Sequence, residues 1–139
     1  MEIKVRAWDK KQKRMIENVG VFYSDNTAYI YKYTSPELGY VEVFVNAKYQ
    51  DRFIPMLYTN CKDKNGKEIY ENDIVKHPTY PEFYYKIVWY YNGFIPLGIN
   101  IDNYLFCENW EELEIIGNIY ENPELLKNGG KNANQIKNR

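Results

Sequence analysis

Apolar residues in this chain come in short runs rich in Val, Ile, Phe and Tyr, each closed within a few residues by Gly, Pro, Asn or Asp. Runs of that length and composition suit a pleated, half-buried surface, and turn residues at such close spacing leave no room for long helices. The clearest are residues 28–33 (AYIYKY), 40–45 (YVEVFV) and 84–91 (YYKIVWYY). The expected fold class is therefore α+β, predominantly β. With 139 residues, 45% of them apolar, the chain can bury one real core. The expected organisation is a single compact domain over residues 1–127, divisible into lobes at 1–58 and 59–127, followed by a flexible polar tail over 128–139.

Ile3, Val5 and Ala7 alternate with Lys4, Arg6 and Trp8, the period of a half-buried strand. Residues 9–13 read as a turn and Arg14, Met15 and Ile16 as its return, which makes an N-terminal hairpin with its Lys and Arg side chains in water. Gly20 reads as a break. Pro55, lacking an amide donor, points to an edge strand or its first residue over residues 53–58. Asn65-Gly66 predicts a two-residue type I′ hairpin turn. Residues 77–82 (HPTYPE) read as a Pro-stiffened loop, and Asn92-Gly93 as the turn after the third apolar run. Tight turns at this spacing predict a small, strongly bent sheet or an SH3-like barrel in the C-terminal half. Asn122-Pro123-Glu124 predicts one short C-terminal helix.

Three segments in fixed order carry a likeness: IKVRAWDKKQKRM (3–15), YTNCKDKNGKEIYENDIVK (58–76) and LEIIGNIYENPELL (113–126). Together they resemble the YopX family of phage and prophage proteins. Asn60 and Asn72 stand where the family pattern tends to have glycine, and asparagine is the residue best able to keep a left-handed turn there. The family is functionally uncharacterised. The resemblance implies phage origin and a mixed, β-rich fold, and it brings no activity and no catalytic residues.

Charge is distributed unevenly behind a net value of -1. Residues 1–16 are basic, and residues 102–124 carry seven carboxylates without a Lys or Arg. These stretches suit contact within a monomer or between subunits better than a nucleic-acid surface. His77, the single histidine, has Glu82 nearby in sequence, but no spacing supplies a second catalytic group. Glu111, Glu112 and Glu114 read as a solvated acidic face. Cys61 and Cys107 lack zinc or disulfide-scaffold spacing. No catalytic residue, cofactor or metal is expected. The absence of an apolar leader or a membrane-length apolar stretch leads to the expectation of a cytoplasmic protein with no membrane partner.

Fifteen tyrosines are the compositional oddity, and Tyr29, Tyr31 and Tyr33 share one face of their strand. With Lys10, Lys11, Lys13 and Arg14 they form the candidate interaction surface. The expected function is that of a non-enzymatic phage accessory protein that self-assembles as a homo-oligomer and binds a host or phage protein. The alternative is a small-barrel protein binding single-stranded nucleic acid. A small hydrolase is the third.

Overall fold

The computed structural model describes residues 2–25, 27–35, 40–45, 52–101, 103–105 and 107–128, and of residues 28, 33–35, 40–45 and 128 the backbone alone. Strands dominate, as the short β-branched and aromatic runs require, and the one described α-helix has four residues. Two antiparallel sheets form, neither closed into a barrel, so of the two forms expected for the C-terminal half it is the open sheet that occurs. The chain divides into two compact units, Met1–Tyr58 and Thr59–Arg139.

In the first unit β1 (Val5–Asp9) and β2 (Arg14–Ser24) make the expected N-terminal hairpin. β3 (Thr27–Ser35), β4 (Tyr40–Val45) and the start of β5 (Phe53–Lys62) complete the order β4-β3-β2-β1-β5. Ala7, Ile16, Val19, Ile30 and Phe53 form its core. β1 lies between two partners and is covered on both faces, so Arg6 does not face water as the alternation predicted; it is 6% exposed, opposite buried Met56. Pro55 of β5 pairs with Ala7, and β5 is not the terminal strand of its sheet: the order continues from β5 to β6 (Glu68–Tyr70). Gly20 is not a break. It lies inside β2 directly across from Tyr31, whose ring occupies the space a β-carbon would need. The connection over residues 46–51 and the tail from residue 129 lie outside the described residues.

The second unit contains the rest of β5 with β6 (Glu68–Tyr70), and a four-stranded sheet in the order β10-β7-β8-β9. Its strands are β7 (Asp73–His77), β8 (Tyr80–Tyr90), β9 (Gly93–Gly98) and β10 (Glu114–Asn118). Ile69, Val75, Tyr85, Ile87, Leu105 and Leu113 form the core. A 3₁₀ turn, Trp110–Glu112, precedes β10, and α1 (Leu125–Asn128) is the short helix expected after Pro123. The HPTYPE segment is a tight turn rather than a loop: His77 pairs with Tyr80, and Pro81 lies in β8.

The turn at Asn65-Gly66 is of another type than predicted. Gly66 N–H bonds Asp63 O at 3.0 Å, Asp63 N–H bonds Lys67 O at 2.8 Å, and of these loop residues only Gly66 has positive φ, at 78°. That is the three-residue loop in which an ordinary turn is followed by a left-handed residue, instead of two left-handed residues in succession. Asn60 and Asn72 are left-handed as the family pattern implied, with φ of 66° and 71°.

A β-carbon at Gly66 meets nothing within 4 Å, so any cost of substitution is backbone strain alone. Gly66→Val should lower stability by about 1–3 kcal/mol, since β-branched residues are the least tolerant of positive φ, and Gly66→Asn by clearly less. Urea midpoints of the two variants against the parent check this, with equal midpoints for parent and Val variant excluding the turn geometry.

Candidate functional site

The basic turn is built on a buried carboxylate. Asp9, 0% exposed, accepts from Lys11 N–H at 3.0 Å and Gln12 N–H at 3.2 Å, which fixes the loop that follows β1. Arg52 grips the same carboxylate with Nε at 2.9 Å and Nη2 at 3.0 Å, and Arg14 Nε approaches it at 3.7 Å. The two-pronged Arg52 contact holds the carboxyl down to about 2, helped by the turn amides and opposed by burial. Lys10, Lys11 and Lys13 are exposed, whereas Arg14 is engaged with Asp9.

Tyr29 and Tyr31 are half-buried and lie against Phe22, Tyr29 stacked at 4.9 Å between ring centres and Tyr31 tilted at 5.9 Å. Tyr33 pairs with Val41 through its backbone, and its side chain is outside the description. Phe22 and Arg14 are eight residues apart on β2, roughly 26 Å at the rise of a strand. Among the described side chains, the basic turn and the rings of Tyr29 and Tyr31 therefore lie at different points along β2.

His77, at the end of β7, is 8% exposed. Its Nδ1 accepts from Thr79 N–H at 3.1 Å, which places the ring proton on Nε2, and Nε2 lies 3.0 Å from Glu112 Oε2. Glu112, not Glu82, is thus the partner. Cys107 completes a group in which one imidazole nitrogen, the sulfur and a carboxylate oxygen lie within 4.8 Å of one another. The 3₁₀ turn supplies Glu112, and Asn109 caps that turn by accepting from Glu111 N–H at 3.1 Å. Cys107 Sγ donates to Asn109 O at 3.1 Å, and burial pushes its thiol up. A raised thiol whose proton is already engaged is not an activated nucleophile, and an imidazole with both nitrogens committed has no lone pair ready to act as a base. Releasing the Thr79 amide from Nδ1 costs about 1 kcal/mol, the net worth of one hydrogen bond. Glu114 pairs instead with Lys64 and Lys76, and Glu111 is exposed, so the three glutamates do not act as one cluster.

The turn between β8 and β9 carries three exposed rings in succession. Trp89, Tyr90 and Tyr91 are 55%, 49% and 81% exposed. Trp89 meets Phe94 edge-on at 4.9 Å, and Tyr90 meets Tyr91 edge-on at 4.5 Å. Tyr90 pairs with Gly93, so the turn residues are Tyr91 and Asn92, one position earlier than the sequence suggested. Tyr91 has φ of 55°, a conformation costly for an aromatic residue at the first turn position, where glycine is the usual occupant.

The YopX protein family matches residues 4–127, nearly the whole chain. The chain belongs to the YopX family. Two crystal structures share its fold: protein EF1440 from Enterococcus faecalis, with TM-score 0.61 and 29% identity over 91% of this chain and 99% of that one, and protein yopX from Bacillus subtilis, with TM-score 0.58 and 17% identity over 88% and 97%. At 17% identity the second likeness concerns the fold alone. No curated protein matches the chain.

Within this YopX-family fold, sequence reasoning missed Asp9 and Glu112. Asp9 had a local signal, a turn-forming Asp ahead of a polar run. Glu112 had none, being 35 residues from His77 with no motif joining them.

Because the folded Asp9 carboxyl titrates near 2 against an ordinary 3.8, its contribution to stability is full above about pH 4 and is lost as pH falls toward 2. Asp9→Asn should destabilise the protein at pH 7 by about 1.5–3 kcal/mol, the scale of hydrogen bonds to a charged group. The gap in urea midpoint between parent and variant should shrink from pH 4 to pH 2; a constant gap excludes the assignment.

Proposed function

We propose that this chain is a phage or prophage accessory protein that acts in the host cytoplasm by binding protein surfaces, including copies of itself, without a chemical step. The observation that carries the reading is the aromatic tip of the β8–β9 turn. Three adjacent rings more than 45% exposed are costly to leave in water, and aromatic residues are the side chains most enriched at the centre of protein interfaces. Tyr91 adds an independent argument. The left-handed backbone holds the exposed Tyr91 ring edge-on against Tyr90, and strain of this kind collects at sites that bind.

Other features are in keeping with the reading. No helix among the described residues is long and apolar enough to cross a membrane. The committed nitrogens of His77 and the protonated Cys107 do not favour hydrolysis. Exposed Lys10, Lys11 and Lys13 in the first unit, and exposed Glu108, Glu111, Glu121 and Glu124 in the second, provide opposite charges that orient self-association more than they strengthen it.

Tyr91→Gly separates function from folding. Relieving the left-handed strain should leave stability unchanged or raise it by up to about 1 kcal/mol, while removal of the ring weakens association. Trp89→Ala should weaken association as well. Light scattering after size exclusion, in low and moderate salt, reads self-association, and capture from phage-infected host cells reads other partners. A monomer at every concentration together with captures indifferent to Trp89 and Tyr91 would overturn the proposal.

A further inference from the structure

The group formed by His77, Cys107 and Glu112 has a use that the binding function does not require. It is the one group of three or more His, Cys, Asp or Glu side chains among the described residues whose donor atoms converge, within 4.8 Å of one another. Tetrahedral zinc, with bonds of about 2.0–2.3 Å, holds its donor atoms roughly 3.5 Å apart, so modest side-chain rotation closes the remaining distance. We propose that His77 Nε2, Cys107 Sγ and a carboxylate oxygen of Glu112 form a binding site for a borderline-soft divalent cation, zinc above all, with water as the fourth ligand.

The donor set makes that choice. Thiolate and imidazole favour zinc and disfavour magnesium or calcium, which take oxygen ligands. The placement suits an ion too: His77 is held by the strand beside the core, while Glu112 is exposed and leaves an entry path. Protons balance simply. Binding displaces the thiol proton now directed at Asn109 O, and the imidazole proton moves from Nε2 to Nδ1. Thr79 N–H then loses its acceptor and turns to water, which the exposed position of Pro78 and Thr79 allows.

The test is titration of the full chain, free of affinity-tag histidines and kept reduced, with cobalt(II) followed by zinc(II). One equivalent of cobalt should bind with thiolate-to-cobalt charge-transfer absorption and the visible bands of a tetrahedral ion, and zinc should displace it. Cys107→Ser should abolish the charge-transfer band, His77→Ala should weaken binding at least tenfold, and Cys61→Ser should change neither. Glu112→Gln, at an exposed side chain, should weaken binding at least threefold and keeps the test meaningful if the buried-site variants fold poorly. The proposal fails if millimolar cobalt produces no charge-transfer band in the parent, if the band is lost in Cys61→Ser instead of Cys107→Ser, or if Glu112→Gln binds as tightly as the parent.

Discussion

A carboxylate with 4% exposure, Asp63, ties together the segments that define the second unit. Its Oδ1 accepts from Asn65 and Lys67 N–H, both at 2.9 Å, and its Oδ2 accepts from Ile115 N–H at 3.1 Å on β10. Burying a charge is tolerable only when its lone pairs are met, and here three backbone amides meet them. Lys64 N–H to Leu113 O, at 2.8 Å, adds a fourth bond along the same seam. The β5–β6 turn and the C-terminal strand therefore form one constraint although 52 residues separate them. Two of the three segments that carry the family likeness, residues 58–76 and 113–126, meet at this carboxylate.

The same device recurs. Asp9 receives two turn amides and an arginine, Asp73 receives Tyr70 N–H at 2.7 Å, and Asn118 Oδ1 receives Tyr120 and Glu121 N–H at 3.0 and 2.8 Å. A small β protein with short strands has many turns, and each leaves backbone donors that the ladder does not use. Short acceptor side chains at the ends of the turns satisfy them at low entropic cost. Among the described residues, most left-handed non-glycine positions follow the same economy of local chemistry, being Asn18, Asp25, Asn60, Asn72 and Asn100. Lys13 and Tyr91 are the exceptions, and Tyr91 is the one whose ring stands in solvent.

Strand positions were legible because they depend on local properties. The period-two run in residues 3–8 and the β-branched runs at 40–45 and 84–91 each became a strand near the expected residues. What a sequence shows poorly is which side chain meets which. Gly20 read as a break because a glycine interrupts strand propensity, yet its missing β-carbon makes room for the Tyr31 ring. Asn65-Gly66 read as a two-residue turn because the dipeptide favours it, but Asp63 draws Lys67 N–H and widens the loop by one residue. His77 read beside Glu82 because five residues looked near, whereas the carboxylate that reaches it arrives from the 3₁₀ turn.

The two features singled out in the second unit lie at opposite ends of one strand. His77 stands at the turn that enters β8, and Tyr91 at the turn that leaves it, roughly 33 Å away over the length from Tyr80 to Tyr90. A cation at His77 lies beyond the reach of direct electrostatic influence on the aromatic tip at physiological salt, since the screening length is about 8 Å. Coupling between them would have to pass through the rigidity of the sheet itself. An ion bound there acts first on the turn it clamps, joining the end of β7 to the 3₁₀ turn that leads into β10. Its effect belongs to the seam Asp63 already secures, while the aromatic tip stays a surface whose chemistry is set by its own four rings.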